Sequence, residues 1–235
     1  MSHLDINSGR VVANASETER AGFIRRTYLH VGGAIAAFTV LETILVKSGV
    51  AESFYLMLGQ NRWVWLLVMV AFMGVSYVAD SWARSAISRE KQYMGLGLFV
   101  IAEAIIFMPL LYRAVATAPE TLQSAVIVTA ALVAGITFTA FSTKINFSFL
   151  GRILGIGSFV VIGIIIAAIM FDFALGVWFS GAMILFAGAA VLYSTSNIIH
   201  EYHSQQHVAA ALSLTSSIGL LFWYVLQFMM GMGGD

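Results

Sequence analysis

Seven apolar stretches of helical length recur along the chain, separated by clusters of charged and polar residues. A helix takes about 20 apolar residues to cross a bilayer core. The stretches at 28–46, 63–83, 93–112, 121–141, 150–170, 174–194 and 208–230 are therefore read as seven transmembrane helices. Their apolar runs are continuous, whereas barrel strands alternate inward and outward, so a β-barrel is excluded. Between Arg152 and Glu201 the only charge is Asp172, which divides one long apolar run into spans five and six. The hairpin at Asp172 makes those two spans antiparallel neighbours. The pattern predicts an all-α polytopic membrane protein, a seven-transmembrane-helix bundle. Residues 1–27 form a polar cytoplasmic N-terminal segment, 28–230 the membrane domain and 231–235 a short tail.

Composition narrows this further. The 235 residues are 60% hydrophobic and 10% charged, against about 25% charged in soluble domains, which leaves no room for a separate soluble domain. A net charge of +0 argues against nucleic acid, whose sites present concentrated positive charge. Zero cysteines exclude disulfides, thiolate metal sites and thiol nucleophiles. Residues 1–27 lack the apolar stretch and small-residue cleavage site of an export signal, so targeting is expected to reside in the first span.

Lys and Arg in short loops set orientation. With a cytoplasmic amino terminus, nine lie inside (Arg10, Arg20, Arg25, Arg26, Arg84, Arg89, Lys91, Lys144, Arg152) and three outside (Lys47, Arg62, Arg113). The expected location is a bacterial inner (plasma) membrane, with the lipid bilayer as the first partner. Trp63, Trp65, Trp178, Trp223 and Tyr224 fall near span ends, where amphipathic rings anchor at the interface.

Ionisable groups within a span are costly and mark functional candidates. Glu103 lies ten residues into span three, roughly 15 Å deep at 1.5 Å per residue. Asp80, four residues before Arg84, sits at the inner end of span two, Glu42 near the outer end of span one, and Asp172 at the outer hairpin. These four carboxylates form a staggered set from surface to surface, suited to passing cations. Snorkelling or a local Asp80–Arg84 ion pair explains three of them without function, and a hydrogen-bonded packing role competes for Glu103. In span seven, Ser213, Ser216, Ser217, Tyr224 and Gln227 draw one polar stripe down a helix face. The stripe suggests a central C-terminal helix, although ordinary interhelical serine bonding gives the same pattern. His200, His203 and His207, at i, i+3 and i+7, would share a helix face and are candidate metal ligands. The His-Glu-Tyr-His spacing is not that of the HExxH zinc site.

The segments AEAIIFMPLLY, TAFSTKINFSFLGRIL, LYSTSNIIHEY and VAAALSLTSSIGLLFWYVLQ, in this order, resemble the Bax inhibitor family of membrane proteins, including its bacterial YccA-like members. The resemblance runs from Tyr28 to Met230. It implies seven helices, two groups of three around a central carboxy-terminal one. It also implies activities described for members: pH-sensitive calcium leak, cell-death suppression in eukaryotes, and modulation of a membrane AAA protease in bacteria. The gate proposed for the family is a pair of aspartates sharing a proton, whose mutual repulsion splits their titration. Here those positions hold Ser194 and Ser217, or Ser216 in a register shifted by one, and hydroxyls do not titrate in the working range. Glu103, near the depth of Ser217, and Asp80, near that of Ser194, are candidate replacement carboxylates.

The leading expectation is a cation (calcium) leak lined by Glu103, Asp80 and the serine stripe, with Ca²⁺ as a permeating ion and no bound cofactor. The alternative is a non-conducting regulator of a membrane-bound protease or another membrane complex. An enzyme is not expected. GIGSF at 155–159 lacks a GxSxG nucleophile pattern, and Lys47, Lys91 and Lys144 lie at span ends or loops, unsuited to a retinal Schiff base. No internal repeat marks a coupled transporter.

Overall fold

The computed structural model describes residues 11–85, 88–143 and 145–233. After a turn of 3-10 helix at Val12–Asn14 come α1 (Glu17–Lys47), α2 (Val50–Gln60), α3 (Arg62–Ala83), α4 (Arg89–Thr117), α5 (Pro119–Ser142), α6 (Leu150–Phe171), α7 (Gly176–His200) and α8 (His207–Met232). Seven of these are long and apolar enough to cross a membrane; six contain one of the stretches read from the sequence, and α7 begins two residues inside the stretch 174–194. The chain is an all-α polytopic membrane protein.

Two segments differ from expectation. The supposed polar amino-terminal arm is in part the opening of α1, which starts at Glu17 instead of residue 28. The Ser16 side chain accepts from the Glu19 N–H at 3.3 Å, and Glu17 and Glu19 complement the positive end of the helix dipole. Phe23 and Thr27 on this extension are fully buried, which ties it to the bundle. The region between Lys47 and Arg62, expected as loop, holds α2. At 11 residues, or about 16 Å, it is too short to cross. Gly49, at φ +80°, separates it from α1, and Asn61 caps α3 by accepting from the Trp63 N–H at 2.9 Å. Arg10 and Lys144, counted above as inner charges, lie outside the described residues.

Burial sorts the helices. In α4 and α8, 67% and 61% of the apolar window is buried, against 6–22% in the other five spans. Helix α8 packs against α1, α3, α4, α5 and α7, and α4 against α1, α2, α3, α5 and α8. The central place expected for the last helix is thus shared with α4. Small residues let α8 occupy it: Ala209, Ala210 and Ala211 are completely buried, and close approach of helix backbones is what drives association in lipid. Helix α6, the most apolar span, packs on α7 and α3 and turns residues such as Phe159 (81% exposed) outward, where lipid tails replace water as solvent. Asp172 at φ 56° and Gly176 at φ 67° reverse the chain between α6 and α7, which pack as the predicted hairpin pair.

The aromatic residues expected at the interface divide. Trp178 is 94% exposed and Trp63 46% exposed, in keeping with anchoring. Trp65 and Trp223 instead stack on each other at 6.2 Å. Tyr224 is buried against Phe179 at 5.9 Å, so these three belong to the bundle. At the other end of α8, the Val12 N–H donates to the Tyr202 carbonyl at 2.9 Å and Val11 pairs with His203 in an isolated antiparallel bridge.

Helices α3 and α4 approach closely at Gly95. A Cβ on Gly95 would lie 2.5 Å from the Ala79 carbonyl oxygen and 2.6 Å from the Ala83 nitrogen, both backbone atoms that cannot rotate away. Gly95→Ala is expected to destabilise the protein by about 3 kcal/mol, the upper part of the usual overpacking range. The midpoint of denaturant unfolding in detergent micelles, compared with that of Gly97→Ala, whose Cβ meets nothing within 4 Å, measures it.

Candidate functional site

Helix α8 presents two chemically different sides. Ser213 and Ser217 of the stripe face α7. Ser194 Oγ lies 2.8 Å from Ser217 Oγ and 3.3 Å from Ser213 Oγ, while the Ser217 hydroxyl also lies 3.0 Å from the Ser213 carbonyl oxygen and donates to it. Ser194 and Ser217 are 3% and 9% exposed. Because Ser217 uses its hydrogen toward the Ser213 carbonyl, Ser194 is the donor in the contact with Ser217 at any moment when that bond is made. The register question is answered by geometry: Ser217, not Ser216, meets Ser194.

The opposite side of α8 carries Thr215, Ile218, Gly219 and Phe222, which help to line a cavity of about 780 Å³ between α1, α4, α5 and α8. Positions 217 and 219 are about 200° apart around a helix, so the serine pair and the cavity do not share a face. Glu103 enters this cavity from α4 and is 5% exposed. A Cβ on Gly219 would collide with Glu103 Oε1, so the glycine makes the space that the carboxyl fills. Glu42 enters the same cavity from α1, also 5% exposed. Neither of its oxygens has a hydrogen-bond partner, and the buried hydroxyls of Thr129 and Thr215, on the same walls, are likewise unpartnered. Glu42 was expected to reach interfacial water. It is instead buried in the wall of the cavity, with no hydrogen-bond partner.

The profile of the family described as "Inhibitor of apoptosis-promoting Bax1" matches residues 20–234 of this sequence. The chain belongs to the Bax inhibitor family. Among curated proteins it is similar to Protein LIFEGUARD 4 of Arabidopsis thaliana, with 28% identity over 88% of this chain and 83% of that one. An uncharacterized protein of Pseudomonas aeruginosa is 27% identical over 72% of this chain and 75% of its own length. An uncharacterized Neisseria meningitidis protein is 21% identical over 90% and 92%. No solved structure matches significantly.

Within this Bax inhibitor bundle the staggered ladder of four carboxylates does not assemble. Glu42 and Glu103 share a cavity, whereas Asp172 sits in the exposed α6–α7 hairpin and Asp80 is engaged with Arg84. The Arg84 Nε lies 2.8 and 3.0 Å from the two Asp80 carboxylate oxygens, with both side chains substantially exposed. Arg84, just beyond the end of α3, also lies over the Tyr202 ring at 5.8 Å. Partial burial pulls its pKa down, but the Asp80 hydrogen bond and the attraction of Tyr202 and Asp80 outweigh this and hold it above its ordinary value. Asp80 and Glu103 therefore do not stand in for the missing aspartates: the first is held by Arg84, the second lies across α8 from Ser217.

The histidine triad is likewise not formed. Helix α7 ends at His200 and α8 begins at His207, so the three residues do not share a helix face. No cluster of three metal-ligating side chains occurs among the described residues. His200 Nδ1 lies 3.0 Å from its own helix's Ser196 carbonyl oxygen, and the His203 N–H donates to Gln206 Oε1. His207 is buried, edge-on to His30 at 5.1 Å, and His30 stacks on Tyr93. The periodicity argument failed because it ran a helix through residues 201–206, where the chain turns. Sequence reasoning also missed the cavity residues Thr129, Thr215 and Gly219; single small polar positions in apolar spans carry no periodic signal.

The serine pair gives a direct test. Ser194→Ala and Ser217→Ala in a double-mutant cycle on unfolding free energy are expected to couple by about 0.6 kcal/mol, the average for interhelical hydrogen bonds within membranes. Ser216→Ala with Ser194→Ala is expected to be additive.

Proposed function

We propose that this protein is a calcium-permeable cation leak of the Bax inhibitor type whose α7–α8 contact is held by neutral hydroxyls, so that it does not respond to pH there. The observation that carries this reading is the 2.8 Å contact between Ser194 and Ser217, at the two positions where the family resemblance places titrating carboxylates. A pair of carboxylates changes from attraction through a shared proton to repulsion as it deprotonates. A pair of hydroxyls has no such transition. Glu103, buried between α4 and α8, is the carboxyl that a cation meets along the bundle in this reading. With so few oxygen ligands its hold on Ca²⁺ is weak, as conduction requires. The distribution of Lys and Arg supports a cytoplasmic amino terminus, in an inner membrane if the host is a bacterium, as it is for the Pseudomonas and Neisseria relatives.

A second reading, a non-conducting regulator of a membrane protease or another membrane complex, is favoured by one feature. The α7–α8 seam is closed, with Val191, Thr195, Ile198 and Leu214 completely buried beside the serine pair, and it offers an ion no free carboxylate.

Purified protein in liposomes loaded with a calcium dye separates the two. Under the leak reading, the α7–α8 contact contributes no pH step to influx, so Ser194→Ala with Ser217→Ala is expected to leave its profile between pH 5 and 8 unchanged. Glu103→Gln is expected to lower influx about tenfold, equivalent to about 1.4 kcal/mol of lost cation attraction. Ser194→Asp with Ser217→Asp is expected to introduce a pH dependence, with influx rising as the second carboxyl deprotonates and the two helices repel. No flux from wild type or the aspartate variant supports the regulator.

A further inference from the structure

The cavity on the Glu103 side of α8 is long and largely apolar. It extends along α1 from Tyr28 to Lys47, nineteen residues or roughly 28 Å, comparable to the thickness of the hydrocarbon core. Helices α1 and α5 form its two edges and are not a packed pair. A ring contact between Tyr28 and Phe141 at 6.3 Å closes one end. Above that contact, Ile35 of α1 and Val126 of α5 line the cavity and are 40% and 52% exposed. The opening is therefore sideways, into the lipid tails.

Its lining combines long apolar walls with polar groups that lack partners. Phe38, Phe107 and Phe222 form an aromatic wall, with Phe107 edge-on to Phe38 at 5.2 Å and parallel to Phe222 at 6.0 Å. Among these sit Glu42, with both carboxyl oxygens unpaired, and the unpaired Thr129 and Thr215 hydroxyls, each of the three at least 95% buried. Buried polar groups in native proteins are paired with protein, water or ligand almost without exception, and the penalty for leaving a carboxyl unpaired is the largest. Glu103 lines the same cavity. The lining thus has an acceptor-rich acidic strip within an apolar groove that lipid can enter.

We propose that this groove binds a membrane-soluble amphiphile carrying a protonated amine on a single alkyl chain, with the ammonium on Glu42. Charge complementarity selects the amine: the two carboxyls are the cavity's only acidic groups, and Lys47 at the rim is exposed, free to carry its charge into the headgroup layer. Glu42 lies five residues, about 7.5 Å, from the Lys47 end, so a head placed there remains near the interface. The tail runs toward Tyr28 past the phenylalanine wall, over fourteen residues or about 21 Å of α1, long enough for a twelve-carbon chain. The volume of 780 Å³ falls within the range of small-molecule sites. The inference does not depend on conduction and is tested without it.

The test uses full-length protein in phosphatidylcholine nanodiscs and dodecylamine bearing a photoreactive diazirine near its tail, with labelled peptides mapped by mass spectrometry. Labelling is expected on α1, α5 and α8 residues of the groove. Unlabelled dodecylamine should compete about tenfold better than dodecanol, the advantage of a charge-assisted over a neutral hydrogen bond. Glu42→Gln should abolish that preference while leaving dodecanol competition unchanged. Ala134→Trp, at an exposed wall position where extra volume does not disturb the core, should block labelling by both. The proposal is overturned if dodecanol competes as well as the amine, if Glu42→Gln retains the preference, or if label spreads evenly over lipid-facing helices such as α6.

Discussion

Inside a bilayer no water completes an unfinished hydrogen bond, so every polar side chain on a span must find its partner within the protein or in something the protein admits. Helix α8 meets this constraint twice, in opposite ways. Toward α7, Ser213 and Ser217 pair with Ser194 and with their own helix backbone, which yields a closed seam. Toward α1, α4 and α5 it faces carboxyls and hydroxyls without counterparts, in a space with room for a guest. The same helix is closed on one side and receptive on the other.

The arrangement also explains why α4 and α8 are central. Both carry polar residues that lipid would not tolerate, Glu103 on one and the serines on the other, and both have small residues that permit neighbours on every side. Gly95 admits the backbone of α3, and Gly219 admits the Glu103 carboxyl. Helix α6, whose outer face carries large apolar residues such as Ile156 and Phe159, remains at the periphery. Burial in this bundle follows the placement of polar and small residues more than hydrophobicity, since the most apolar span is among the least buried.

Much of this was legible from the chain alone. Span number and order came from hydropathy, and the Asp172 hairpin from a single charge in an apolar run. The pairing of Ser194 with Ser217 followed from aligning two short segments with the Bax inhibitor pattern, because a helix face fixes which residue meets its neighbour. Depth bookkeeping misled for Glu103 and Asp80: it gives height along the membrane normal but not angle around the axis, and 200° of rotation separates Gly219 from Ser217. The histidines misled because periodicity presumes a continuous helix. Helix α2 and the cavity were not readable, the first because an 11-residue apolar segment resembles a loop in a membrane scan, the second because it arises from a gap between helices distant in sequence.

The short pairing of Val11 and Val12 with Tyr202 and His203 fastens the start of the described chain to the turn that joins α7 to α8. That turn carries the geometry of the serine seam a few residues further along each helix. The start of the described chain is thereby tied to the turn that opens α8, one of the two most buried helices.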